Sequence, residues 1–220
     1  VSCFNGVPGA EAGLSASEHL AVAADVIWSR AEVLRTQAFW LIAVTFGVAN
    51  VGVVGLNLHV FAYLSDIGYP AMAAATVLSI IAFTQLSSTL LWGFLSERID
   101  VRKATMLMFL IQTLGLSLVI ATTGLVAVYA GFFIYGVGLG GSQVLQEIIW
   151  ANYFGRISLG RVRGLGFLIT QFFSAGGPPF FGFLFDLTKS YLLSFILFTL
   201  ALVISAFLIL LARPPQKQAK

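Results

Sequence analysis

Apolar and polar residues alternate along this chain in long blocks rather than in short amphipathic periods. Six blocks are apolar over helix lengths: residues 37–64, 71–95, 104–122, 126–150, 165–186 and 189–212. Short breaks separate them: Asp66-Ile67-Gly68-Tyr69-Pro70, a charged run ending at Lys103, Thr122-Thr123-Gly124, the stretch from Phe154 to Gly164, and Leu187-Thr188-Lys189. An α-helix rises about 1.5 Å per residue, so each block can cross a hydrocarbon core of about 30 Å. Inside that core a helix satisfies its own backbone groups and an open sheet does not. The pattern predicts an all-α membrane protein with six transmembrane helices. The short links predict antiparallel neighbours.

Residues 1–36 are a polar linker. From Ser17 onward Leu20, Ala24, Ile27, Ala31 and Leu34 have helical spacing, which predicts a helix lying on the membrane surface or leading into the first span. Residues 37–212 form the bundle and residues 213–220 a polar tail.

Composition narrows the class. The chain is 59% hydrophobic and 10% charged, too apolar for an ordinary soluble domain. Its one cysteine, Cys3, excludes a disulfide framework and a cysteine metal site. The net charge of +3 falls between apolar blocks and forms no basic face, so nucleic acid is not an expected partner. The chain has no Gly-x-Ser-x-Gly elbow and no His-Glu-x-x-His pair, and His59 is the one histidine inside a span. No enzymatic activity, metal or cofactor is expected.

Lys and Arg set the orientation. Eleven of them lie on one side: Arg30 and Arg35, then Arg98, Arg102 and Lys103, then Arg156, Arg161 and Arg163, then Arg213, Lys217 and Lys220. Lys189 stands alone on the other. Both termini are therefore expected in the cytoplasm, with the protein in the plasma (cell inner) membrane. A five-residue echo adds to this. Gly93-Phe94-Leu95-Ser96-Glu97 closes the second block and Gly182-Phe183-Leu184-Phe185-Asp186 the fifth. The two copies are three helices apart and point in opposite directions, as an inverted 3+3 repeat requires.

The charged run holds five charges in seven residues, Glu97 to Lys103. Each would cost about 2.5–3.5 kcal/mol inside a bilayer, so the run is a loop. It resembles the helix-linking signature of the major facilitator superfamily, Gly-x-Leu-x-Asp-Arg-x-Gly-Arg-Lys. Gly93, Leu95, Arg98 and Arg102 stand at its positions, whereas Glu97, Asp100 and Val101 depart from it. The resemblance implies a gating loop of Gly93, Glu97, Arg98, Asp100 and Arg102. A closer likeness is carried by Tyr153-Phe154-Gly155-Arg156, Leu159-Gly160, Arg163-Gly164, Gly177-Pro178-Pro179, Gly182, Asp186 and Tyr191. Leu34-Arg35-Thr36 and Ala38-Phe39-Trp40, with His59, Tyr63, Asp66 and Gly68, extend it. Together these resemble the monocarboxylate transporter and oxalate/formate antiporter branch. The likeness runs from about Leu34 to Arg213. It implies the second half of a twelve-helix carrier, partnered by an N-terminal six-helix half, with residues 1–33 as the central loop. It also implies secondary active transport of a small organic solute, a mono- or dicarboxylate, by alternating access. A carrier of a neutral solute and a six-helix scaffold or receptor module stay open.

Polar residues inside spans point to a solute path. The substrate-cavity candidates are Asn50, Asn57 and His59, then Gln85 and Thr89, then Gln143 and Gln146, then Gln171. Ser and Thr can bond their own helix backbone, whereas Asn and Gln need partners or water. His59 and Glu147 are the proton-coupling candidates, with Glu147 also placed to pair a loop arginine. Gly177, Pro178 and Pro179 interrupt backbone bonding and form a candidate helix bend. The Gly136-x-Gly138-x-Gly140-Gly141 run predicts close helix packing. No Arg or Lys lies in the middle of a block, so an anionic solute does not follow from these residues.

Overall fold

A computed structural model describes residues 27–215. Among them are seven helices: α1 (Arg30–Leu34), α2 (Gln37–Asp66), α3 (Ala71–Ser96), α4 (Val101–Ala121), α5 (Leu125–Phe154), α6 (Leu159–Thr188) and α7 (Leu192–Leu211). Side chains and backbone mark the ends. The Thr36 hydroxyl accepts from the Phe39 N–H to start α2. The Asp100 carboxylate accepts from the Arg102 N–H to start α4. Gly155, at φ 75°, ends α5 in a backbone region that favours glycine.

Five helices, α2 to α5 and α7, are long and apolar enough to cross a membrane. The sequence pattern predicts six. α6 has the length, 30 residues, but Gln171 and Gly176-Gly177-Pro178-Pro179 dilute its apolar run. The predicted loop from Phe154 to Gly164 is also corrected. Only residues 155–158 are non-helical, because α5 reaches Phe154 and α6 begins at Leu159. Arg161 and Arg163 are therefore helical. α1 covers the end of the helix predicted before the first span; residues 27–29 are not helical, because the Ser29 side chain caps α1 there, and the part before residue 27 lies outside the described residues. α1 buries Val33 and packs on α2 and α6.

The bundle is held by a few long helix pairs. α2 packs along α6, α3 along α5, and α4 along both α5 and α7. α7 also packs on α2, whereas α5 and α6 touch only sparsely. Glycines allow close approach in two of these pairs. A Cβ at Gly140 would come 2.4 Å from the Gln85 carbonyl of α3, and one at Gly177 would come 2.3 Å from the Val51 carbonyl of α2. The glycine run of α5 thus packs as its small residues predict. α6 runs unbroken through Pro178 and Pro179, and Gly177 serves as a packing contact with α2. Aromatic clusters fill both ends of the core. Phe39, Trp150 and Phe154 form one, and Tyr63, Phe181 and Phe195 the other.

Candidate functional site

The sparse contact between α5 and α6 leaves a polar cleft. Helical spacing builds each wall, because residues three and four apart share a face. From α5 come Gln143, Gln146, Glu147 and Trp150. From α6 come Arg163, Phe167, Thr170 and Gln171, and Asn50 of α2 forms the floor. The cleft holds about 100 Å³. A smaller cavity of about 50 Å³ shares Asn50 and Gln143 and adds Gln85 of α3 and Ser142 of α5. The two form a polar track through otherwise apolar helices.

One ion pair crosses the cleft. The Arg163 Nε donates to the Glu147 Oε1 at 2.9 Å. Both side chains remain open, at 61% and 40% exposure, so the pair stays reachable by a solute. Glu147 was expected to pair a loop arginine, and its partner is a residue of α6. Arg163 lies near the start of α6, outside the apolar block that begins at residue 165, and still lines the cleft. Sequence reading missed Arg163 because Gly160 and Gly164 beside it read as loop. The signal was the stripe Arg163, Phe167, Thr170 and Gln171, spaced four, three and one apart.

The other amides divide. Asn50 Nδ2 donates to the Phe46 carbonyl at 2.9 Å, a bond that does not use its Oδ1. Gln112, not singled out from sequence, is fully buried behind the track and donates to the Ser142 hydroxyl at 3.3 Å. Its Oε1 has no hydrogen-bond partner. Thr89 bonds backbone, donating to the Gln85 carbonyl at 2.8 Å, and lines neither cavity. Asn57 is exposed and lies outside both.

His59 belongs to a separate cluster. Its Nδ1 lies 3.2 Å from the Tyr191 hydroxyl and its Nε2 lies 3.3 Å from the Pro178 carbonyl. The imidazole stacks on Phe181, with ring centroids 6.0 Å apart. One neutral tautomer satisfies both bonds: Nε2–H donates to Pro178 and Nδ1 accepts from Tyr191. Nearby, an apolar cavity of about 260 Å³ between α2, α6 and α7 is walled by Phe173, Phe180, Phe181 and Phe198. It offers no polar group to orient a solute.

The charged loop is compact. Arg102 Nε lies 3.2 Å from Asp100 Oδ1, and this hydrogen-bonded pairing holds the Asp100 carboxyl below its ordinary value. The Arg98 guanidinium sits 4.2 Å over the Phe94 ring. Among the described residues Glu97 makes no ion pair. A Cβ at Gly93 would meet nothing within 4 Å, so Gly93 brings no helix close within this bundle. On the opposite links, the Tyr69 hydroxyl donates to the Thr123 carbonyl.

Comparison with known sequences agrees with this architecture. A sequence model described as Major Facilitator Superfamily matches residues 39–220. A search of curated proteins finds no match. The matched region covers α3 to α7 and nearly all of α2. With five helices fit to span a bilayer, the chain is an integral membrane protein that sits in lipid and serves transport of small molecules. The chain belongs to the Major Facilitator Superfamily.

Proposed function

We propose that this chain forms half of a secondary active transporter that carries a small organic solute, a mono- or dicarboxylate, by alternating access. The observation that carries the reading is the polar cleft, with Arg163 among the amides Asn50, Gln143, Gln146 and Gln171. An arginine fork matches a carboxylate in bidentate geometry, and amides hold the remaining oxygens. Glu147 faces the same guanidinium and would yield it to the solute on taking a proton. Glu147 and His59 remain the coupling candidates. The pair is neutral as it stands, which favours a neutral solute as the second reading.

The inverted 3+3 repeat draws support from the packing. Exchanging α2 with α5, α3 with α6 and α4 with α7 turns the α2–α6 contact into the α5–α3 contact. It also turns the α4–α5 contact into the α7–α2 contact. α6 then serves as the sixth span. Exposed polar groups at Asn57, Gln143 and Gln171 support an N-terminal six-helix half as partner, since lipid would not solvate them. Gly93, with open space around it, would meet that half rather than this one. The loop of Glu97, Arg98, Asp100 and Arg102 would bias its cytoplasmic gate. Charge asymmetry supports cytoplasmic termini and a plasma-membrane location.

Uptake by the complete protein in proteoliposomes tests the reading. Labelled monocarboxylates, dicarboxylates and neutral analogues of equal size are compared, with and without a proton gradient. Carboxylate uptake above empty liposomes, weakened in Arg163→Gln, is expected. Uptake of neutral analogues alone would replace the anion reading with the second one.

A further inference from the structure

Trp28 is buried, although it precedes the first spanning helix in sequence. Three contacts with described residues hold it. Its backbone N–H donates to the Ser158 hydroxyl at 2.7 Å. Its carbonyl accepts from the Arg161 guanidinium at 3.5 Å. Its ring meets Phe154 edge-on, with centroids 5.5 Å apart. Ser158 is the N-cap residue of α6, where a serine ordinarily accepts from the helix's own first turn. No such cap bond forms here. The fully buried hydroxyl receives Trp28 instead.

These contacts fall at one mouth of the polar cleft. Phe154 packs on Trp150, which lines the cleft. Arg161 lies two residues before Arg163, the cation of the cleft. α5 and α6 have little direct packing, so this end is joined by few things. Among the described residues they include the link 155–158, the Glu147–Arg163 pair, the Trp150 ring against Gly166, and Trp28 laid across Phe154, Ser158 and Arg161. α1, which follows at once, packs on both α2 and α6. Movement of α6 away from α5 must either break the Trp28 contacts or carry the segment before α2 along.

We infer that Trp28 is a clasp on the α5–α6 mouth of the cleft, through which the chain segment before α2 controls how readily that mouth opens. The clasp rests on the cleft being the solute path. Each hydrogen bond of ordinary strength is worth about two- to tenfold in such an equilibrium. The two bonds and the aromatic contact with described residues therefore tune the opening. Anything that binds the preceding segment and lifts Trp28 speeds opening on this side alone.

The experiment uses the full-length protein in inside-out vesicles, with Cys3 and any other native cysteine replaced by serine and one cysteine introduced as Gln146→Cys. A small membrane-impermeant maleimide is applied and the labelling rate is measured. Trp28→Ala and Ser158→Ala are compared with the parent, with thermal unfolding as the check on folding. Labelling about two- to tenfold faster is expected in both, the smaller rise in Ser158→Ala. Should Trp28→Ala fail to fold, Ser158→Ala decides, because it removes one acceptor and leaves the aromatic packing. An unchanged or slower rate in a folded variant overturns the clasp. The assay contains no solute. Faster labelling in a protein that transports nothing supports the clasp and refutes the transport reading. Normal uptake with unchanged labelling does the reverse.

Discussion

The Arg163 guanidinium reaches across the α5–α6 cleft to the Glu147 carboxylate at 2.9 Å, and it is the one basic side chain lining the polar cavity. A charge-assisted hydrogen bond is worth about 1.5–3 kcal/mol, or roughly tenfold or more in affinity. Arg163→Gln should therefore raise the KM for a carboxylate solute at least about tenfold, with folding intact. Glu147→Gln should keep substrate exchange and lose the response to a proton gradient. Exchange and gradient-driven uptake, measured side by side, separate the two variants.

Packing makes an independent prediction. A Cβ at Gly177 would lie 2.3 Å from the Val51 carbonyl, and that backbone atom cannot yield as a side chain would. Gly177→Ala should cost about 1–3 kcal/mol by overpacking the α2–α6 contact. Gly182→Ala, three residues after Pro179 in the same helix, meets nothing within 4 Å and should be neutral or slightly stabilising. Thermal unfolding in detergent compares them. Equal stability in both variants would mean that α2 and α6 are not packed as described.

Gly93 separates the charged loop's local role from its role in a larger assembly. Its Cβ position is open, so Gly93→Leu should leave the stability of this bundle unchanged. In the complete carrier the same variant should slow transport more than it weakens solute binding. Parental transport rates would reduce the loop to a solvated connector.

The loop also carries a pH dependence with a definite sign. Hydrogen bonding from Arg102 lowers the Asp100 carboxyl below its ordinary value. A group depressed on folding adds stability above its unfolded value and loses it as pH falls through the folded one. The Asp100 contribution is thus constant at neutral pH and disappears in strong acid. Asp100→Asn keeps an N-cap and removes the ion pair. Unfolding midpoints taken from neutral pH into acid should converge for parent and variant only at the acid end. Parallel curves throughout would mean that the carboxylate is not held by Arg102.

Much of the fold was legible because long apolar blocks are a strong signal. The ends of α2, α3 and α4 fall within three residues of the blocks read from sequence. The α5–α6 link was not legible. Gly155, Gly160 and Gly164 with three arginines read as loop, yet only Gly155 takes a positive φ. Gly160 and Gly164 sit in helix with open space around them. The site was legible in part: Asn50, Gln143, Gln146, Glu147 and Gln171 do converge, because each keeps helical register with its neighbours. His59 and Thr89 went elsewhere because nearby backbone and hydroxyl groups satisfy them, and sequence spacing says nothing of such partners. Arg163 needed the true start of α6.

The central claim is that the polar cleft is a solute path open alternately to the two sides of the membrane. The most direct measurement places a single cysteine at Gln171→Cys in a background of the complete protein in which every native cysteine, Cys3 among them, is replaced by serine. An impermeant thiol reagent is then applied separately from each side, with and without a carboxylate solute. Labelling from both sides, slowed by the solute from both, is the predicted result. Labelling from one side only, or labelling that no solute slows, would contradict it.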